Sequence, residues 1–427
     1  MPSQPSRIGL NLSSFADSVR TALGSRNLVA VTLCYSLLQF ANFLWKPFWS
    51  LYIMELGGSK GVVGFLATLQ SLSTLILLLP GGVLSDRFGR RRLILLSTVC
   101  GVIPPAVYLL ASHWTGLLLG IIASSLSSLS IPAQTALIAE SLPSEKRATG
   151  FGFYTMSWYL FIAASYPIGG WMMDSMGVVA ATHLGLTLTL IITAPILLIQ
   201  WRYVRETIAK PRQSGPRPGA GKLLFQLRRA PRQVWALLAV ALFSAFAFQA
   251  FWSFVTIYCV EVVGMSKMEW SIASIASNLV AALFMLPMGF LSDLARRRPY
   301  VVLSQSLVAA SSLGYVLSTG FPSLVVTRVL GGIGEGIGGN VFGPTGGPVW
   351  QALVTDVAPE EMRGSVLGLM GAVTGFASTP APLVGGWMYE AVSPQAPFYL
   401  SFGLATVGVL IFVAMVSEPR RMAPASA

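Results

Sequence analysis

Leu79-Pro80-Gly81-Gly82-Val83-Leu84-Ser85-Asp86-Arg87-Phe88-Gly89-Arg90-Arg91-Arg92 ends a long apolar run on an abrupt cluster of charge. At an offset of 207 residues, Leu286-Pro287-Met288-Gly289-Phe290-Leu291-Ser292-Asp293-Leu294-Ala295-Arg296-Arg297-Arg298 does the same. Outward from this stretch, the same offset lays Trp45 on Trp252, and Gly57, Ser59 and Lys60 on Gly264, Ser266 and Lys267. Later in each half the offset becomes 216, placing Glu140, Pro143, Arg147 and Gly152 on Asp356, Pro359, Arg363 and Gly368. It also places Gly169-Gly170-Trp171-Met172 on Gly385-Gly386-Trp387-Met388. A repeat of this reach sets the architecture before any single motif does. The chain is two similar halves in tandem.

The apolar run that this stretch closes is one of about twelve. Of 427 residues, 54% are hydrophobic and 10% charged, against about a quarter charged in an ordinary soluble domain. The apolar residues gather in blocks long enough to cross roughly 30 Å of hydrocarbon. Spans one to six are expected at 28–55, 61–84, 93–111, 115–139, 151–173 and 178–201. Spans seven to twelve are expected at 234–263, 268–291, 300–318, 323–355, 364–390 and 396–416. An unbroken apolar run such as Leu93 to Leu110 lacks the alternation of a transmembrane strand, so the spans read as helices. The fold class is an all-α membrane protein with two six-helix bundles, 28–201 and 234–416. Six is even, so the halves share one orientation and are related by an axis along the membrane normal.

The net charge of +12 follows the membrane and does not point to nucleic acid. Of the 28 Lys and Arg residues, all but Lys46, Lys60, Lys267 and Arg328 fall in the two tails or in loops on the same side as the tails. By the positive-inside rule both termini lie in the cytoplasm of a cell-membrane protein. No cleavable signal peptide is read, because the first apolar run is too long for a signal core. Residues 1–27 carry Leu12, Phe15, Val19 and Leu23 at helical spacing, which predicts an amphipathic segment on the inner face. Residues 202–233 read as a basic cytoplasmic linker and 417–427 as a cytoplasmic tail. Cys34, Cys100 and Cys259 sit in apolar runs without metal-ligand spacing, and His113 and His183 are far apart, so no metal or cofactor is expected.

The stretch Gly82 to Arg92 resembles the loop signature of the major facilitator superfamily, and the copy Gly289 to Arg297 resembles its usual degraded repeat. The pairs Glu140 with Arg147 and Asp356 with Arg363 are similar to that family's acid-then-arginine loops. The resemblance covers essentially the whole chain. It implies a secondary transporter whose gate is formed by Gly82, Asp86, Arg87, Gly89, Arg90, Arg91, Asp293, Glu140, Arg147, Asp356 and Arg363. In that reading Gly82 allows a close helix approach, and Asp86 meets the positive end of helix eleven near Gly364, an attraction of about 0.3–1 kcal/mol.

The same resemblance implies that helices one, four, seven and ten line the cavity. On helix one, Gln39, Asn42 and Lys46 are spaced three and four apart and share a face. The repeat lays Asn42 on Gln249, with Trp252, Ser253 and Thr256 following on helix seven. Helix ten carries Arg328 and Glu335, seven residues apart and so on nearly one face. Polar residues in lipid are costly, so these stripes are expected to face a wet cleft. Lys46 and Glu335 reach similar depth and are candidates for an ion pair, or for contacts with substrate or a proton; Lys46 snorkelling and a structural Arg328–Glu335 pair are the alternatives. The glycines of 331–347 suit close packing or a broken helix.

The function expected is transport of a small organic solute by alternating access, with protons or another ion as optional coupling partner. Efflux of amphipathic compounds is slightly favoured by the aromatic residues Trp45, Trp49, Tyr154, Trp158 and Trp252. A sugar or organic-acid symporter is the alternative, and a non-transporting membrane sensor the alternative of another class. Tyr166-Pro167-Ile168-Gly169-Gly170 departs in spacing from the antiporter signature. No enzyme chemistry is read, since Gly331 to Gly336 lacks a βαβ context. The partners expected are the lipid bilayer and the solute, with the chain a monomer.

Overall fold

The computed structural model describes residues 23–143, 147–207, 231–294, 297–338, 348–358 and 363–417. The amphipathic segment before residue 23, the linker 208–230 and the tail beyond 417 lie outside the described residues. Among those described, the regular structure is helical throughout. Ten stretches are long and apolar enough to cross a bilayer. Arg147–Met176 and Phe321–Gly338 are also of spanning length, and with them six elements fall in each half. These two are poorer in aliphatic side chains because they carry, respectively, a tyrosine and tryptophan series and a glycine series with Arg328 and Glu335. The outer faces of the bundle present Leu110, Leu119, Leu283 and Phe376, each more than 70% exposed. Water would not tolerate so large an apolar surface, and lipid does.

Several spans depart from straight helices where the sequence dictates. Span one runs Arg26–Phe43, breaks, makes a short 3-10 turn Lys46–Phe48 around Pro47, and resumes at Trp49–Glu55. Span seven runs Arg232–Trp252 and breaks at Ser253–Phe254 before continuing, the position related to the first break by the repeat. The third span divides at Gly101 and Val102 ahead of Pro104. Proline removes an amide and crowds the preceding turn, which accounts for the breaks near Pro47 and Pro104. At span seven no proline is present, and the break follows the bulky pair Phe251-Trp252.

The packing repeats as the sequence does. Span one lies on spans five and six, and span seven lies on spans eleven and twelve. Between the halves, span two (Lys60–Phe88) lies on the second part of span eleven (Ala381–Ala391), and span five (Arg147–Met176) lies on span eight (Lys267–Leu294). Glycine permits both approaches. A Cβ on Gly64 would come 2.3 Å from the Pro382 oxygen and 3.2 Å from Gly386 Cα, and one on Gly170 would come 2.9 Å from the Lys267 oxygen and Met268 Cα. Gly169 and Gly385 play matching parts against Leu44 of span one and Ala250 of span seven.

These contacts lie toward the end of the bundle farthest from the termini, called here the distal end. The polar links that join the halves gather there. Lys60 pairs with Glu261 at 3.2 Å and Lys267 with Asp174 at 3.6 Å. Thr256 Oγ1 donates to the Pro47 carbonyl at 2.8 Å, tying the two helix breaks together, and the Leu383 amide donates to Thr68 Oγ1 at 3.1 Å. Span eight opens with a reciprocal cap in which the Ser266 hydroxyl accepts from the Glu269 amide and the Glu269 carboxylate accepts from the Ser266 amide.

Candidate functional site

A narrow pocket of about 10 Å³, room for about one water molecule in this conformation, lies among spans seven to ten. Phe248 and Trp252 come from span seven, Ser277 from span eight, Ser311 and Tyr315 from span nine, and Arg328, Gly331 and Glu335 from span ten. Span ten can approach its neighbours this closely because its inward positions are glycine. A Cβ on Gly332 would come 2.5 Å from the Ser277 oxygen, and one on Gly336 2.7 Å from the Ala281 oxygen. The Ser304 hydroxyl donates to the Gly334 carbonyl at 2.7 Å. The described part of the glycine series therefore serves packing; residues 339–347 lie outside the described residues.

Arg328 is 93% buried, from a relative exposure of 7%. It donates from Nη1 to the Tyr315 hydroxyl at 3.0 Å, and its guanidinium carbon lies 5.6 Å from the Trp252 ring centre and 5.3 Å from that of Trp270. Two indole faces about a desolvated guanidinium are each worth about 0.5–2 kcal/mol. Its Nε has no hydrogen-bond partner among the described residues. Glu335 sits about 10 Å further along the same helix, two turns on. It lines the same pocket without a hydrogen bond or ion pair to any described residue. The site thus offers a cation held by aromatic faces and, within its electrostatic reach, an acid, in one space lined by both polar and apolar groups.

Span five contributes from the other half. Tyr159 lies within electrostatic reach of Glu335, and Tyr166 within reach of Arg328 and beside Asn278. Trp270, Tyr315, Tyr159 and Tyr166 were not among the candidate binding residues read from sequence. The seven-residue interval between Tyr159 and Tyr166, which puts both on one helix face, is the signal that could have found the last two.

The helix-one stripe is arranged differently from the sequence expectation. Gln39 and Asn42 are part-exposed on a continuous helix, but Lys46 follows the break and opens the 3-10 turn, so the three do not share one helical face. The Lys46 side chain is accessible although protein surrounds it, as for a group facing an internal space. It forms no ion pair with Glu335 in this conformation. On helix seven, Gln249 is part-exposed and Trp252 packs flat on Phe248 with centroids 4.9 Å apart. Ser253 lies at the break and Thr256 is committed to Pro47. Trp45 is buried, donating to Thr189 Oγ1 at 3.3 Å, so it belongs to the core and not to a ligand surface. Tyr154 and Trp158 pack on Tyr35 of span one.

At the termini end, Arg90 forms an ion pair with Glu140, and the repeat-related Arg297 pairs with Asp356 at 2.6 Å. The acids of the two loop motifs therefore bind the arginine that follows span two or span eight, which sequence spacing did not reveal because it compares neighbours in the chain. Glu206 accepts from the amides of Arg90 and Arg91 at 3.1 Å each, and Arg91 Nη2 donates to the Trp201 carbonyl at 2.6 Å. Gly89, at φ 91°, lets the chain turn between span two and span three. Arg87 is exposed and lies over the Phe88 ring. The side chains of Gly82, Asp86, Asp293, Arg147 and Arg363 lie outside what the structure describes, and so does the expected meeting of Asp86 with helix eleven.

Two repeated six-span halves, closed against each other at one end around a polar and aromatic centre, define a membrane transporter of the alternating-access class. The family model of the Major Facilitator Superfamily matches residues 31–277 and 263–427. The chain belongs to that superfamily. It is 24% identical over 410 residues to an uncharacterised MFS-type transporter of Methanocaldococcus jannaschii, covering 91% of this chain and 94% of that one. It is 22% identical over 371 residues to the quinolone resistance protein NorA of Staphylococcus aureus, covering 86% and 90%. Among solved structures, the nucleoside transporter NupG superposes with a TM-score of 0.72 at 15% identity, covering 91% of this chain and all of that one. A bacterial homologue of the human lysosomal transporter Spinster gives 0.65 at 17% identity, covering 92% and 95%. These likenesses establish the fold.

Proposed function

We infer that this chain is a secondary active transporter of the cell membrane that moves a small amphipathic organic solute, with efflux favoured. The observation that carries the reading is the pocket in which Arg328, flanked by Trp252 and Trp270, lies within electrostatic reach of Glu335, an acid with no hydrogen bond or ion pair among the described residues. Aromatic rings beside a cation and an acid suit a solute with a flat apolar body and a polar end, which the cleft would admit as the halves rock apart. The similarity to a quinolone resistance protein across most of both chains favours drug-like compounds over sugars. Glu335 is the candidate proton carrier, because an acid without a fixed partner can exchange a proton as the halves rock.

The termini are assigned to the cytoplasm on the distribution of Lys and Arg. On that assignment the distal end faces outward, and the closed distal seam makes this conformation one that is shut to the outside. The units are residues 28–201 and 234–416, joined by 202–233. A sugar or organic-acid symporter is the second reading, favoured by the accessible Lys46 beside Asn42 and Gln39.

Purified protein in proteoliposomes with an imposed pH gradient tests the proposal. The expected result is gradient-driven movement of fluorescent amphipathic dyes, abolished by Glu335→Gln while dye exchange without a gradient persists. Movement of radiolabelled sugars or organic acids but not of dyes would favour the second reading. Ligand binding without movement of any of them would leave a sensor.

A further inference from the structure

The distal seam contains a device that the repeat builds twice. Near the end of span five, both carboxylate oxygens of Asp174 accept backbone amides at the start of span eight in the other half: Lys267 N at 3.1 Å and Met268 N at 2.8 Å. Near the end of span eleven, Glu390 Oε2 accepts the Gly61 amide at the start of span two at 2.8 Å, and the Ser59 hydroxyl at 3.1 Å. The two acids are related by the later offset of 216 residues, and the two helix starts by the earlier offset of 207. The first amides of a helix lack partners within it and carry partial positive charge. Here the helices are 29 and 28 residues long, and the anion that caps each comes from the opposite half.

We propose that Asp174 and Glu390 are a pair of gating residues that hold the distal side shut by capping spans eight and two across the interface, and that both caps must be released each time the carrier opens at that end. The inference rests on the transporter reading above. Three features separate a latch from incidental surface contact. Each acid sits beside a glycine seam that brings the two backbones together, Gly170 on span eight and Gly386 on span two. At the Glu390 site a Cβ on Gly61 would come 2.8 Å from the carboxylate, so the position leaves room for the acid by having no side chain. The Asp174 site adds the Lys267 ammonium at 3.6 Å, with both side chains about 30% exposed or less. A cap made by one half on the other exists only while the seam is closed, so its free energy enters the closed-to-open equilibrium directly.

Capping carboxylates contribute enough for each to bias that equilibrium roughly tenfold, and the two together roughly a hundredfold if independent. The test uses the full chain in nanodiscs, with Cys100 replaced by serine and spin labels at cysteines introduced for Met176 and Val392, exposed distal positions in opposite halves. Electron–electron distance distributions are compared for the parent, Asp174→Asn, Glu390→Gln, the double variant, and Lys267→Gln, which keeps the backbone cap and removes the side-chain ion pair. The expected result is a long distal distance that grows with each acid removed, is largest in the double variant, and changes little in Lys267→Gln. Unchanged distributions in both acid variants, or a Lys267→Gln effect as large as that of Asp174→Asn, would overturn the latch. A parent that shows a single distal distance with and without dye, in a protein that moves no solute, would count against alternating access itself, a distinct failure.

Discussion

At the scale of the residue, Arg328 shows what a sequence can and cannot say. Its position in an apolar run marked it as functional or structurally paired, and its register put it on one face with Glu335. Its partners were illegible, because Tyr315 of span nine, Trp252 of span seven and Trp270 of span eight are brought to it by packing. The arrangement uses the planar guanidinium, which stacks between ring faces as an ammonium does not. Arg328→Lys is therefore expected to weaken dye binding about tenfold, while Arg328→Gln lowers thermal stability as well by leaving Tyr315 and the indoles without their cation. Fluorescence titration of dye and a melting curve of the detergent-purified protein check the two effects separately. The residues at the termini end teach the same lesson. Glu140 and Arg147 look like partners at a distance of seven residues; among the described side chains Glu140 pairs with Arg90, fifty residues away. Arg90→Gln should destabilise the first half by about 1 kcal/mol, since the buried Arg90 loses its ion pair while the exposed Glu140 is left to water. Arg297→Gln should act alike on the second half through its pair with Asp356, read as a fall in melting temperature.

At the scale of the element, the spans were readable because hydrocarbon imposes one demand on all of them. Boundaries such as Val178–Tyr203 and Ala396–Met415 fall within a few residues of expectation, for charge ends the run and the membrane fixes its length. What hydropathy misses is the break. Span one was read as continuous through Pro47 and span seven through Ser253, where no proline marks the interruption, which is why Lys46, Ser253 and Thr256 were assigned to stripes that the breaks divide. The bond from Thr256 Oγ1 to the Pro47 carbonyl joins the two broken helices across the halves. Thr256→Val keeps the shape and removes the donor. It should cost about 1 kcal/mol of distal closure, with Thr256→Ser near the parent. The ratio of long to short distal distances in spin-labelled protein measures this.

For the whole molecule, the repeat was the strongest thing in the sequence, and it foretold two halves but not which glycines lie between them. Gly169-Gly170 read as part of a stretch that departs from the antiporter signature, and Gly385-Gly386 as its repeat; in the fold, the first glycine of each pair seats its span within a half and the second meets the other half. That division of labour yields a prediction about the cycle as a whole. A side chain at Gly170 would collide with the backbone of span eight, and one at Gly64 with that of span eleven, at distances no Cβ tolerates. Neither collision involves the termini end or the pocket. Gly64→Leu or Gly170→Leu alone should therefore slow solute movement in proteoliposomes, and the double variant should abolish it while still being stabilised by dye in a melting assay. A double variant that moves solute at the parent rate would mean that the distal end need not close as it does here, because rigid packed seams, unlike loops, have no room to absorb two leucines. One that has lost both movement and dye stabilisation, yet still elutes as a single folded species, would place the solute at the seam between the halves instead of in the pocket of spans seven to ten.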